Sequence, residues 1–285
     1  MYWSCGWTLG CARMDRRTAI ASGALAALAV YAIFVPIFAG VDDRVVDFSS
    51  ARLAPSAQHP FGTDSAGRDL FVRSASAIGT SLLVAVACAV LATVLGCVVG
   101  LAAGVWGGRV DRIVMRSTDA VNALPHLLLG IVIVAMFRGS VVAIVASIAL
   151  THWTQVARIV RSEILRLRER AFVDVAIVAG ASRFHVATRH FVPAVLPQAM
   201  IAVVLLLPHA VWHESTLSFL GFGLPPHEPS LGTLLEEARS SLLLGSWWTL
   251  VFPAAILLVA TLSVAVLGSA LRARVTPARP SELRL

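Results

Sequence analysis

The 285-residue chain contains no lysine, so all 23 of its basic residues are arginine. A phosphate-binding loop of the form G-x-x-x-x-G-K-[ST] is therefore impossible, because its lysine is what reaches the nucleotide phosphates. Nucleotide hydrolysis, where it is needed, belongs to another chain. Charge of either sign is scarce, at 14% of residues against roughly 25% in a soluble domain, while 58% are hydrophobic. That excludes a soluble domain and reads as an integral membrane protein. Cysteine is sparse too: Cys5, Cys11, Cys88 and Cys97 lack the paired spacing of a zinc site or a disulfide framework. The net charge of +7 records which loops stay inside the cell, and no nucleic-acid partner is expected from it. Residues 1–14 lack a basic n-region and make a poor secretory signal; since Met14 opens a more ordinary start, residues 1–13 read as an upstream start or a tail.

What is present is a series of six apolar runs, at 19–39, 75–105, 119–137, 141–159, 200–220 and 249–271. At about 1.5 Å per residue each can cross a hydrocarbon core of roughly 30 Å. They divide the chain into a tail at 1–18, a first spanning helix at 19–39, an external loop at 40–74, a five-helix core at 75–271 and a tail at 272–285. Within the core, 160–197 is predicted to be a cytoplasmic loop and 224–247 a second external one. Of the arginines, 17 fall in the predicted inner segments and 6 in the outer ones, which places both termini in the cytoplasm. Gly96, Gly100 and Gly104 recur every four residues on one face of the second run, a spacing that suits close helix packing.

Four polar stretches stand out. The longest, residues 163–193, reads EILRLRERAFVDVAIVAGASRFHVATRHFVP; it carries Asp174-Val-Ala176, then Gly180 after three residues and His190-Phe-Val-Pro193 after nine more. The external stretch 59–73 reads HPFGTDSAGRDLFVR, in which Pro60, Gly62 and Gly67 fit turns and Asp64 or Ser65 fits a helix cap. A solvated ion pair, a structural clamp and a substrate contact are all open for its charged residues. Residues 107–125 read GGRVDRIVMRSTDAVNALP, with Asp111 and Asp119 flanking three arginines, either as local pairs or as part of coupling. Glu214 opens ESTLSFLGFGL inside the fifth run, and an intramembrane carboxylate is costly enough to mark a functional candidate. His209 and His213 sit one helical turn apart beside it; with no second ligand pair in the sequence, polar lining or helix packing is favoured over a metal or haem, and no metal site is assigned.

Taken along the chain, the four stretches resemble, in the family's order, motifs of permease subunits of the dipeptide, oligopeptide and nickel family of ABC importers. Residues 174–193 are similar to the EAA signature of such permeases, with Asp174 in place of the usual glutamate and His190 in place of the usual isoleucine. Residues 59–69 are similar to the H-P-x-G-T-D-x-x-G-R-D element of one of the two permease types. The resemblance implies an all-α membrane protein of six spanning helices with the type I ABC importer permease fold, in the inner membrane, in contact with lipid. It implies a heterodimer with a homologous permease, two cytoplasmic ATPase subunits that hold ATP and Mg, and an external substrate-binding protein; this chain would bind no cofactor and carry no catalytic residue. Peptides are the implied solute, with nickel, haem or another small solute as alternatives. Phe172, Asp174, Ala176, Gly180, Ala181, Ser182, His190 and Pro193 would form the ATPase-coupling element, and Gly62, Thr63, Asp64, Gly67, Arg68 and Asp69 the external-loop motif. Glu214 falls on a family position, while His209 and His213 match no family motif; read from their place in the fifth run, all three would line the passage or the permease interface, both roles being open. An ion-coupled secondary transporter fits less well, because the first, second, fourth and sixth runs hold no Asp or Glu in their interiors.

Overall fold

A computed structural model describes residues 15–39, 45–137, 139–225 and 228–275. Cys5, Cys11, Arg13, Asp42, Asp43, Arg44, Arg138, His227, Arg279 and Arg284 lie outside the described residues. Among those described the structure is helical, with one isolated bridge between Thr63 and Asp69. The elements are α1 (Arg16–Phe38), a short 3-10 turn (Phe48–Ser50), α2 (Leu70–Trp106), α3 (Gly108–Ala123), α4 (His126–Met136), α5 (Val141–Arg168), α6 (Ala171–Val178), α7 (Arg183–Val186), a π-turn (Ala187–Phe191), α8 (Val192–Phe219), α9 (Leu231–Leu242) and α10 (Trp248–Val275). Five helices are long and apolar enough to cross a membrane: α1, α2, α5, the continuous stretch Arg183–Phe219, and α10.

The third run departs from the expected unbroken span. The structure divides it into α3 and α4, bent by 86° at residues between them. Proline disfavours the helical region for the residue before it, and Leu124, preceding Pro125, is extended at φ −90°, ψ 139°. The 11 residues of α4 then reach only about 16 Å, so this span is a broken one. The expected loop at 224–247 also differs, because it contains α9, whose N-terminus is closed by a capping box between Ser230 and Thr233.

The long helix α2 runs through the middle, with α5 and α8 packed along it and α1 and α10 joined at one side. Its glycine stripe explains the closeness to α5: a Cβ on Gly100 would lie 2.6 Å from the Ala157 carbonyl oxygen, and one on Gly104 would lie 2.8 Å from Ile164. Three polar contacts fasten α3 across α5, namely Arg161 to Asp111 (2.6 Å for the Nη2 to Oδ2 contact), Arg158 to Asp119 (2.7 Å) and Thr154 to Asn122 (2.8 Å). At the end opposite the arginine-rich loop, Tyr31, Phe61, Phe71 and Phe252 form an aromatic cluster joining α1, the 45–69 segment, α2 and α10.

The widened π-turn before α8 has a local cause. Pro193 has no N–H to offer the preceding turn, and the Val192 N–H reaches back to the Ala187 carbonyl instead. Such a turn inside an otherwise α-helical run is a common feature of functional elements.

Candidate functional site

At the arginine-rich end, α5 stops at Arg168 and the chain doubles back through α6. Val173, Val186 and Phe191 are its anchors, each buried in the core cluster below, where α2 and α5 supply Val105, Val160 and Ile164. The end of α6 is a Schellman turn: the Gly180 N–H donates to the Ile177 carbonyl (2.9 Å) and the Ala181 N–H to the Ala176 carbonyl (3.0 Å). Gly180 sits at φ +87° with open space where a Cβ would be, so the backbone angle, not crowding within this chain, is what requires glycine. Ser182 then caps α7, its Oγ accepting from the His185 N–H at 3.2 Å. Four of the expected coupling residues, Ala176, Gly180, Ala181 and Ser182, are thus the turn itself.

The outer side of this element is apolar and uncovered. Phe172, Val175, Val178 and Phe184 are exposed, with Val178 at 88%, and Ile177, also exposed, lies at the edge between this side and the inner one. Asp174 stands exposed among them in the first turn of α6, and it makes no ion pair among the described residues, with Arg170 or otherwise. The Phe172 ring lies 5.5 Å from that of His190, which links α6 to the π-turn, and Pro193 opens α8 just beyond. Behind α6 a cavity of about 110 Å³ is lined by Val105, Arg168, Val173, Ile177 and Arg183, and Arg168 donates to the Gly104 carbonyl at 3.0 Å. The arrangement is a short, rigidly terminated helix, tied to α2 and α8 on one side and offering apolar surface on the other.

At the opposite end the motif residues form a clamp. Asp64 accepts from the Ala66 and Arg68 N–H groups and from both Arg68 Nε (2.7 Å) and Arg73 Nη1 (2.6 Å). Arg73 also donates to Glu237 of α9 at 2.7 and 3.2 Å, and Arg68 reaches the same carboxylate at 3.1 Å. Two guanidinium groups and two carboxylates neutralise one another there, with Arg73 only 1% exposed. Asp69 caps α2 by accepting from the Phe71 and Val72 N–H groups and pairs with His59 at 2.7 Å. Thr63 Oγ1 donates to the Ser50 carbonyl and accepts from the Leu53 N–H, while the Trp248 indole donates to the Thr63 carbonyl. Gly62 and Gly67 have φ of +73° and +77°, and a side chain on Gly67 would collide with the Asp47 carbonyl. Asp47 itself accepts from Ser49 and Ser50, which holds its carboxyl below the usual range. Arg73 and Glu237 were not singled out by the sequence, although an arginine at the head of an apolar helix is a signal for a buried partner.

Glu214 is fully buried in α8, and its partners lie within the chain: Ser81 of α2 donates at 3.0 Å, Ser218 one turn along at 2.9 Å and Ser215 at 3.4 Å. Ser81 Oγ in turn accepts from the Leu231 N–H at the start of α9 (3.1 Å), so the carboxylate holds the positive end of that helix through one hydroxyl. α9 is therefore fastened to α2 at two points, at its first residue by Ser81 and at its middle by Arg73. His209 and His213 do not stand alone either. His152 of α5 lies 4.8 Å from His213 and 6.5 Å from His209 by ring centroids, and His126 of α4 is 5.5 Å from His152. Only the fold could bring His126 and His152, distant in sequence, to this place. Among the described residues no group of three or more His, Cys, Asp or Glu is arranged to hold a metal ion.

Residues 92–277 match the family model "Binding-protein-dependent transport system inner membrane component". The chain is 36% identical over 267 residues to the oligopeptide transport system permease protein OppC of Escherichia coli (strain K12), covering 93% of this chain and 88% of that one. It is 33% identical over 246 residues to OppC of Bacillus subtilis (strain 168), with 86% and 80% covered. It is also 33% identical over 257 residues to the nickel transport system permease protein NikC of E. coli (strain K12), with 89% and 91% covered. With its helices long enough to span a bilayer, its buried polar clamps and this match, the chain belongs to the family of inner-membrane permease components of binding-protein-dependent ABC importers.

Proposed function

We propose that the chain forms, with a homologous permease, the passage for peptides handed over by an external binding protein, and that two partner ATPase subunits drive it. The single observation that carries this reading is the α6 turn: a short helix with a Schellman end at Gly180, an uncovered apolar face and a buried side anchored to α2 and α8. Such an element transmits a push from a docked partner directly to the spanning helices, because Val173 and Phe191 are packed against them. Orientation follows from the arginine distribution, which puts α6 and both termini on the cytoplasmic side. The motif at 59–73 and α9 then face the outside, where a binding protein delivers its solute. Hydrolysis is assigned to the partners because this chain has no lysine for a phosphate-binding loop.

The peptide assignment leans on the OppC relatives, and nickel is the second reading because a NikC relative matches over a similar length. The two are separated by reconstituting the complete assembly in liposomes and measuring ATP-dependent uptake of a labelled tripeptide and of nickel. Saturable tripeptide uptake that requires the binding protein is the expected result. Nickel uptake without peptide uptake would overturn the assignment.

A further inference from the structure

The four histidines are a partly buried polar cluster to which the fold gives no other use. They come from three helices, His126 on α4, His152 on α5, and His209 and His213 on α8, with His152 in the middle. His152 is 5% exposed, His126 and His213 are half-buried, and His209 is exposed, so the cluster opens at one side. Ten residues separate His209 from the end of α8, which is about 15 Å along the helix and inside the hydrocarbon zone. An imidazole there facing lipid would be costly, so this face is turned to protein or to a water-filled passage.

The protonation chemistry can be read from the hydrogen bonds. His152 Nδ1 lies 2.9 Å from the Ile148 carbonyl, which can only accept, so Nδ1 carries the proton and Nε2 is left as the basic nitrogen. Thr151 Oγ1, also near Nδ1 at 2.8 Å, has the Ser147 and Ile148 carbonyls to donate to. The titratable groups of the surrounding helices supply no counter-charge. Cys88 of α2 packs close to His152, and Glu214 of α8, next to His213 in sequence, is turned away to Ser81, Ser215 and Ser218. Among the described residues no ion pair reaches any of the four imidazoles.

A protonated imidazole in this place lacks an anion, and an anionic solute group would provide one. We propose that His126, His152, His209 and His213 form a transit site for the carboxylate of the transported solute, held as an imidazolium–carboxylate pair. The imidazole takes its proton from hydronium in the bulk solution when the carboxylate arrives and gives it back to water as hydronium when the carboxylate leaves, so nothing is consumed. This inference rests on the peptide reading, since a peptide with a free C-terminus carries the required group.

The direct test needs no transport. The purified permease pair, labelled with ¹⁵N-histidine, is titrated with acetyl-alanyl-alanine and, in parallel, with its C-terminal amide. The free acid is expected to shift at least two histidine signals toward the imidazolium position, the amide is not, and the shift is lost in both His152→Phe and His209→Gln, the second of which retains a polar side chain. No shift with the acid, or an equal shift with the amide, overturns the site. In reconstituted complexes, His209→Gln should lower uptake of the free-acid tripeptide at least fivefold and leave that of its amide within twofold of wild type. Equal losses for both would show a packing role and overturn it as well. A wild-type complex that moves no peptide, yet shows the acid-specific histidine shift, would count against the peptide reading while supporting the carboxylate site.

Discussion

Glu214 illustrates what a single buried carboxylate does in a membrane helix. Its oxygens take three serine hydroxyls, and one of those serines receives the first N–H of α9. Removing the acceptor strands buried donors, at about 1–3 kcal/mol for each group left unpaired. Glu214→Gln keeps an acceptor and should lower the melting temperature of the purified chain only slightly, whereas Glu214→Leu should lower it markedly and free the start of α9, so that a cysteine at Ser230 becomes reactive. Wild-type melting and an unreactive Ser230 position in Glu214→Leu would show that the network does not hold α9. The clamp at the other end makes a different residue-scale case. Breaking a buried ion pair from one side costs about 3–5 kcal/mol, while replacing both partners with apolar groups costs far less. Arg73→Leu should therefore destabilise the chain more than the Arg73→Leu, Glu237→Leu double variant does, as followed by thermal unfolding in detergent; a double variant worse than the single one would mean the charges are not coupled. Glu214 was legible in the sequence because acids are rare in apolar runs. Its link to α9 was not, since Ser81 is an ordinary residue until α2, α8 and α9 are placed side by side.

At the scale of elements, α1, α2 and α10 follow their apolar runs within a few residues because hydrophobic length is a local property, whereas α5 continues to Arg168 and α8 starts at Val192, both inside the expected loop at 160–197. The other departures come where a short element depends on distant packing. α9 is only 12 residues long, and its identity rests on a capping box and on contacts with α2 and α10 that no run length reveals. The broken third span depends on one proline in a run that is otherwise apolar enough to continue. The turn at α6 was legible in spacing, since Gly180 falls where the Schellman geometry needs a positive φ. Its apolar outer face became visible only once Val173 and Ala176 were seen to take the inner one. Asp174 sits on that outer face without an ion pair, and an exposed charge contributes only about 0.2–1 kcal/mol to a contact. Asp174→Ala should thus weaken copurification of the ATPase subunits by less than about tenfold and leave insertion intact; complete loss of the ATPase would show a stronger contact than exposure allows.

For the whole molecule, the proposed topology puts the arginine-rich end and the clamped end on opposite sides of the membrane. In a background without the native cysteines, single cysteines at the exposed positions Ser56 and Ser240 should react with an impermeant thiol reagent added to intact cells, and one at Ser182 should react only after permeabilisation. Labelling of Ser182 in intact cells would reverse the orientation. The central claim is that the α6 turn couples a partner's ATP hydrolysis to the movement of the spans, and Gly180→Trp tests it most directly. Tryptophan at φ +87° forces the turn to rebuild, yet nothing in the bundle contacts that position, so the helices remain free to insert. The measurement is ATPase activity and solute uptake of the reconstituted complex, with and without binding protein. Loss of uptake, with ATPase activity either lost or no longer stimulated by the binding protein, is the expected result; wild-type uptake with binding-protein-stimulated hydrolysis in Gly180→Trp would contradict it.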